Sequence, residues 1–322
     1  MRWLPVLLIF IVLDVLPNLS SSAAMAQAKG DPVQKADWQP AILPLAKQID
    51  IKSSATGKDY RIQIGKIGPM PESGYPVVYV LDGDAMFPIA YLYAMARAMQ
   101  PQDHTPVSVL IVGVGYSDST LLDMNARAAD YTPPSPDYEK TGDAFAKKFG
   151  EADRFLSFLD QELKPMIARE FSIDKNQQTL IGHSYGGLFT LYALYTQPES
   201  FRNYIVSSPS IWWNKGIIRT YFEQFKKNQH NLTSPLSVRI TSGSLEEIPS
   251  TTAQGNDQRI KMLNSRKMVS NAQDMAKAIE GLGNPDIKVE YVVYPQQTHG
   301  TVALSAVADG MVHAIAATLA SP

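Results

Sequence analysis

The stretch TLIGHSYGGL, Thr179 to Leu188, sets Ser184 between two glycines, Gly182 and Gly186, straight after one apolar run and straight before another. The preceding run QTLIGHS (178–184) is short and apolar enough for a strand covered on both faces, and the following residues 186–196 carry a helical pattern. A serine on such a strand-to-helix turn sits in a strained backbone conformation. Small residues two positions to either side let the strand and helix pack against it, and Gly187 adds further room. G-x-S-x-G arises often by chance. The strand–turn–helix setting is what makes Ser184 a candidate nucleophile rather than part of a plain turn.

Outward from this turn, short apolar runs recur: YPVVYVLDGD (75–84), VSVLIVGVGY (107–116), NYIVSSPS (203–210), LSVRITSG (236–243) and IKVEYVVYP (287–295). Runs apolar at nearly every position suit the strands of a parallel sheet buried on both faces. YRIQIGKI (60–67) alternates instead and predicts an antiparallel strand. Helical patterns fall near 85–99, 186–196, 217–227, 262–282 and 301–319. The clearest runs from Asp143 to Glu170, where Phe145, Phe149, Ala152, Leu156, Leu159, Leu163 and Ile167 recur at three- and four-residue steps. Early antiparallel strands followed by alternating β and α units predict an α/β protein, a doubly wound, mostly parallel sheet with helices on both faces. Two polar connections interrupt the alternation, 117–143 and 246–259. Both follow the carboxyl ends of predicted parallel strands, where ligands bind in open α/β sheets, and connections that long are usually functional or mobile.

A chain of 322 residues, 45% hydrophobic and 19% charged, can bury a full core. Its net charge of -2, with acids and bases interspersed, offers no basic footprint, so no nucleic-acid partner is expected. The opening residues carry Arg2, an apolar run from Leu4 to Leu16, and small residues up to Ala26, which predicts a secretory signal cleaved after Ala26. The run falls short of the roughly 20 apolar residues of a membrane helix and is broken by Asp14, so no stable membrane span is expected after cleavage. Residues 27–322 show no repeat and no linker, which predicts a single catalytic domain in an exported protein, periplasmic or secreted. There is no cysteine. An exported core of this size needs no disulfide staples, and a thiol nucleophile or zinc–thiolate site is excluded.

A serine hydroxyl needs a base, and on this strand–elbow–helix arrangement the partners follow in chain order as acid, then histidine. Of the five histidines, His104 and His183 precede Ser184, His230 lies in a polar run, and His313 lies inside an apolar helical pattern. His299, in YPQQTHGTV just past the last predicted strand, is the histidine a loop can bring over the serine. The acid should follow the strand before last, where GSLEEIP offers Glu246 and Glu247; Glu246 is the choice, with Asp257 and Asp274 further away. A developing oxyanion would be met by the backbone N–H of Tyr185 at a helix N-terminus and by that of Asp84 after Gly83 in LDGDAMF. Asp82 and Asp84 around one glycine are too few for a calcium loop, so neither metal nor cofactor is expected.

LDGDAMF, VGVGY, RAADYTP, FLDQELKPMI, LIGHSYGGLFTLYAL, SPSIWW, GSLEE and THGTV, in this order over residues 40–320, resemble the putative-esterase family of α/β-hydrolases. That family includes periplasmic esterases that linearise trilactone catecholate siderophores such as enterobactin and salmochelin. The resemblance implies an α/β-hydrolase fold, Ser184 as nucleophile, His299 as base and a loop donor near Asp84. It implies a small-molecule ester as partner, a ferric siderophore among the candidates. It also suggests Trp212 and Trp213 as aromatic walls for an aryl acyl group and Arg127 as a partner for an anionic substrate, with Tyr116 and Tyr131 nearby. Arg127 could instead hold Asp130, and His183 is expected to pack beside the nucleophile. The alternatives are an exported carboxylesterase or acyltransferase acting on acetyl, feruloyl or sugar esters, and a binding protein without turnover, against which Ser184 and His299 argue.

Overall fold

The computed structural model describes residues 43–99, 107–118, 121–247 and 258–319. The predicted signal (1–26), most of the 246–259 connection, His104 and Asp257 lie outside the described residues. Eight strands form one sheet: β1 (Lys47–Lys52), β2 (Asp59–Ile67), β3 (Tyr75–Leu81), β4 (Val109–Tyr116), β5 (Ile173–His183), β6 (Asn203–Ser207), β7 (Leu236–Gly243) and β8 (Ile287–Tyr294). Their order is β1-β2-β4-β3-β5-β6-β7-β8. β1 and β2 pair antiparallel, as do β2 and β4, and every pairing from β4 to β8 is parallel.

Period-two alternation divides each central strand between two cores. Val77, Tyr79 and Leu81 of β3 join one cluster, with Leu180 of β5 and Val206 of β6. Val78 and Val80 point the other way, with Ile181 and Ile205. Both faces are therefore apolar, which is why these strands read as unbroken apolar runs. The first face is covered by α2 (Met124–Tyr131), α3 (Ala152–Ser157), α5 (Tyr185–Thr196), α7 (Ile218–Asn228) and α9 (Met268–Glu280). The second is covered by α1 (Gly83–Met99) and α10 (His299–Leu319). α5 is buried from Tyr185 to Tyr195, as a helix apolar on all sides must be. None of the helices among the described residues is long and apolar enough to cross a membrane.

Three departures from the sequence expectations have local causes. The helix expected from Asp143 begins only at Ala152; α3 passes through a π-helical turn (Phe158–Leu163) into α4 (Lys164–Glu170). Residues 143–151 are an ordered connection between Gly142 and Gly150, both at positive φ, with Gly150 N–H bonded to Thr132 and Asp143 capping the N–H groups of Phe145 and Ala146. Phe149 packs on Tyr138 and Trp213, whereas Phe145 is 83% exposed. The helix expected over 262–282 is broken in two, α8 (Gln258–Arg266) and α9, by Lys267 in the left-handed conformation. The connection 117–143 also contains α2, capped by Asp123. β1 had no clear pattern in sequence because it is a solvated edge, exposed at nearly every position.

Candidate active site

Ser184 stands between β5 and α5 with φ 61° and ψ -114°, a left-handed conformation that an L-residue adopts only when its surroundings impose it. The surroundings do so on both sides. Ser184 N–H donates to Ser207 O at 2.9 Å, and its carbonyl accepts from Leu188 N–H and Ser210 N–H at 3.0 and 3.1 Å. A Cβ on Gly182 would collide with the Gly186 carbonyl, and one on Gly187 would lie 2.6 Å from Ser207 O. At Gly186 the nearest atom would be 3.6 Å away. The close-packed glycines of the elbow are thus Gly182 and Gly187; the second glycine of the motif has room for a side chain.

His299 opens α10 just past β8, and its Nε2 lies 2.9 Å from Ser184 Oγ. Its Nδ1 lies 2.8 Å from Oε2 of Glu246, which follows β7. Glu246 is fully buried, and its Oε1 accepts from Ser208 Oγ and from Gly243 N–H, each at 2.6 Å. Glu247 points elsewhere, accepting from the N–H and hydroxyl of Ser270 at the start of α9. Asp274 lies on the exposed face of α9. Ser184, His299 and Glu246 therefore converge from three separate strand ends.

His183 lies under this group. Its ring centroid is 4.7 Å from that of His299, and its Nδ1 is 2.9 Å from Ser207 Oγ. Burial, then the charges of His299 and Arg127, push its pKa well below the ordinary 6.5, so this ring is neutral.

A cleft of about 390 Å³ opens over Ser184 and His299, within the usual range for small-molecule sites. Trp212, Tyr185 and Asp143 form one wall, and Met262, Leu263 and Arg266 of α8 another, with Met124 and Phe145 also lining it. Tyr185 donates its hydroxyl to Asp143 at 2.5 Å. Burial pushes the Asp143 carboxyl upward, but that bond and those from the Phe145 and Ala146 N–H groups outweigh it and hold the pKa below its usual value. The segment carrying this wall is pinned rather than loose. Asn214, itself at positive φ, holds Ser135 and the Asp137 carbonyl through its side chain and the Thr141 carbonyl through its N–H, and Tyr221 holds the Pro134 carbonyl.

The expected binding residues divide. Trp212 lines the cleft. Trp213 does not: it is completely buried against Tyr138 and Phe149, because at the first turn of α6 (Trp213–Gly216) adjacent side chains diverge, one to the cleft and one to the core. Arg127 reaches the cleft but is committed. Its guanidinium forms two 2.9 Å bonds to Asp82, the two side chains only 6% and 2% exposed, and its ring neighbours are Tyr131 and Tyr185. It is a strut rather than a free anion receptor. It does not hold Asp130, which is bonded by Lys58, Tyr60 and Tyr116. Tyr116 and Tyr131 are buried in the core beneath the cleft.

Tyr185 N–H, at the first position of α5, is directed by no backbone bond to an acceptor among the described residues, and the same is true of Asp84 N–H in the first turn of α1. The Asp84 carboxylate turns toward Arg61, over the end of β4. Arg266, Asp143 and Ser210, the last with its hydroxyl 3.4 Å from Ser184 Oγ, were not singled out by sequence. The SPSIWW run contains Ser210; no motif marked Arg266 or Asp143.

The putative-esterase family matches residues 53–280. The chain belongs to that family. It is a carboxylic ester hydrolase with the α/β-hydrolase fold. The ferri-bacillibactin esterase of Bacillus subtilis is 30% identical over 256 residues, 78% of this chain and 83% of that one. The siderophore triacetylfusarinine C esterase of Aspergillus fumigatus is 33% identical over 274 residues, 78% of this chain and 88% of the relative. Among solved structures, the BES protein from Bacillus cereus is 33% identical, covers 86% of this chain and 98% of its own, and superposes with a TM-score of 0.71. The siderophore hydrolase EstA from Aspergillus nidulans is 26% identical, covers 89% and 100%, and gives 0.74.

Proposed function

We propose that this esterase hydrolyses the ester bonds of siderophores, trilactone catecholates or their ferric complexes, through a Ser184–His299–Glu246 relay and an acyl-enzyme. The observation that carries the mechanism is the unbroken chain of contacts, 2.9 Å from Ser184 Oγ to His299 Nε2 and 2.8 Å from His299 Nδ1 to Glu246. Glu246 accepts a hydrogen bond from Nδ1–H, which keeps the ring proton on Nδ1 and leaves the Nε2 lone pair facing the serine. His299 takes the hydroxyl proton as Oγ attacks the ester carbonyl. The N–H groups of Tyr185 and Asp84 stabilise the oxyanion, and the imidazolium then protonates the departing alkoxide. Water, activated by the same imidazole, releases the acid.

The substrate class rests on the relatives, whose names specify siderophores, and on a cleft walled by an indole and thioethers, suited to flat and bulky groups. Export follows from the N-terminal signal pattern, which suits meeting such ligands outside the cytoplasm. The test is Ser184→Ala, assayed on enterobactin and on p-nitrophenyl butyrate. Turnover of both falls about 10⁴-fold or more, and a fluorophosphonate probe labels the parent protein at Ser184 and not the variant. A folded variant retaining most of its activity refutes the mechanism. Equal or better turnover of acetyl, feruloyl and sugar esters by the parent protein refutes the substrate.

A further inference from the structure

We propose that Arg266, laid over Trp212, forms a subsite for a planar, negatively charged oxygen group of the substrate, a carboxylate or an ionised aryl oxygen. The inference rests on the esterase reading of the cleft and adds to it what the cleft recognises. Arg266 lines the same cleft as Ser184 and His299, and its guanidinium lies 4.3 Å from the Trp212 ring centroid. A guanidinium held over an indole keeps its plane and presents its N–H fork in one direction, the geometry that binds a carboxylate through two bonds.

The other charged side chains of the cleft are occupied. Arg127 is bound through two nitrogens to Asp82. Asp143 accepts from Tyr185 and from two backbone N–H groups, and Glu246 from Ser208, Gly243 and His299. The guanidinium of Arg266 donates to no oxygen among the described residues; Asp143 feels its charge without capturing its fork. A half-buried arginine stacked on an aromatic ring with its donors unpaired is poised for an oxygen anion brought by a ligand.

The main chain beneath it is built to hold this position. Lys267 takes the left-handed conformation, φ 47° and ψ 48°, which ends α8 at Arg266 and starts α9 in a new direction. The Asn271 side chain donates to the Arg266 carbonyl at 3.0 Å and accepts from Arg219 at 2.7 Å, closing the bend. The kink turns what sequence periodicity presents as one helix into a corner with Arg266 at its tip.

Benzoate and benzamide, the same size and shape but charged and neutral, are the probes, with binding to the full-length protein followed by calorimetry and by competition against ester hydrolysis. The parent protein binds benzoate more tightly. Arg266→Gln weakens benzoate by about tenfold to a hundredfold, the effect of losing a charge-assisted pair, and benzamide by less than about threefold. Arg266→Lys, which keeps the charge but not the flat fork, falls between. Equal weakening of both probes, unchanged benzoate binding in a folded Arg266→Gln variant, or no preference for benzoate in the parent overturns the proposal. The calorimetry is independent of turnover. Charge discrimination without fluorophosphonate labelling at Ser184 would leave the subsite standing and remove the esterase mechanism, and the converse would do the reverse.

Discussion

Glu246→Gln is the sharpest perturbation of the relay, because the surroundings of residue 246 dictate how the amide must lie. In the native protein Oε1 accepts from Ser208 Oγ and Gly243 N–H, and Oε2 faces His299 Nδ1. A backbone N–H can only donate, so the amide oxygen of glutamine has to take the Gly243 position. Its NH₂ is then forced toward Nδ1 of His299, which must accept. The imidazole proton moves to Nε2 and points at Ser184, so the ring can no longer take the hydroxyl proton. A wrong-tautomer base of this kind costs about 10⁴ in kcat, or about 5.4 kcal/mol of transition-state stabilisation, with KM little changed. Glu246→Asp keeps the charge and loses one methylene, about 1.5 Å of reach; the tautomer survives and the loss is about 10- to 100-fold. Steady-state hydrolysis of p-nitrophenyl butyrate, with circular dichroism to confirm folding and ¹⁵N spectra of the imidazole to report its tautomer, measures all of this. A folded Gln variant with more than a tenth of native kcat, or one more active than Asp, refutes the argument.

Two further outcomes follow from the packing around the elbow. Gly187→Ala destabilises the protein by about 1–3 kcal/mol, since its Cβ would stand 2.6 Å from Ser207 O, whereas Gly186→Ala, with its nearest neighbour at 3.6 Å, changes stability by less than about 1 kcal/mol; urea unfolding of the pair shows equal effects if this reading of the turn is wrong. His183 is neutral in the folded protein and takes up a proton on unfolding, so stability is lost as pH falls below its unfolded value near 6.5, by up to about 1.4 kcal/mol per pH unit. His183→Phe makes the fall between pH 6.5 and 5 shallower by up to that amount while His313, similarly depressed by burial, keeps its share; an unchanged slope contradicts the assignment.

The parts of this molecule legible in its sequence are those set by short-range pattern and chain order. β5, Ser184 and α5 follow one another within 24 residues, so apolar period and glycine spacing suffice to find them. His299 and Glu246 are read from strand order, because parallel strands present their carboxyl ends along one edge and successive loops meet there. The walls of the cleft obey no such rule. Phe145 and Phe149 have helical spacing, yet Gly142 and Gly150 at positive φ and the stacking of Phe149 on Tyr138 hold them in a loop. Trp212 and Trp213 are adjacent and identical in kind, and one faces the cleft while the other fills the core. Arg127, whose neighbours in sequence suggested a salt bridge to Asp130, is held by Asp82, 45 residues away. Arg266 depends on a left-handed lysine and on Asn271 closing the bend behind it. Ser184, His299 and Glu246 stand at strand ends, which chain order brings together; much of the cleft wall is built from segments shaped by contacts distant in sequence. That division is why the sequence speaks clearly for ester hydrolysis, while the choice of ester has to be argued from one guanidinium lying over an indole in the wall of the cleft.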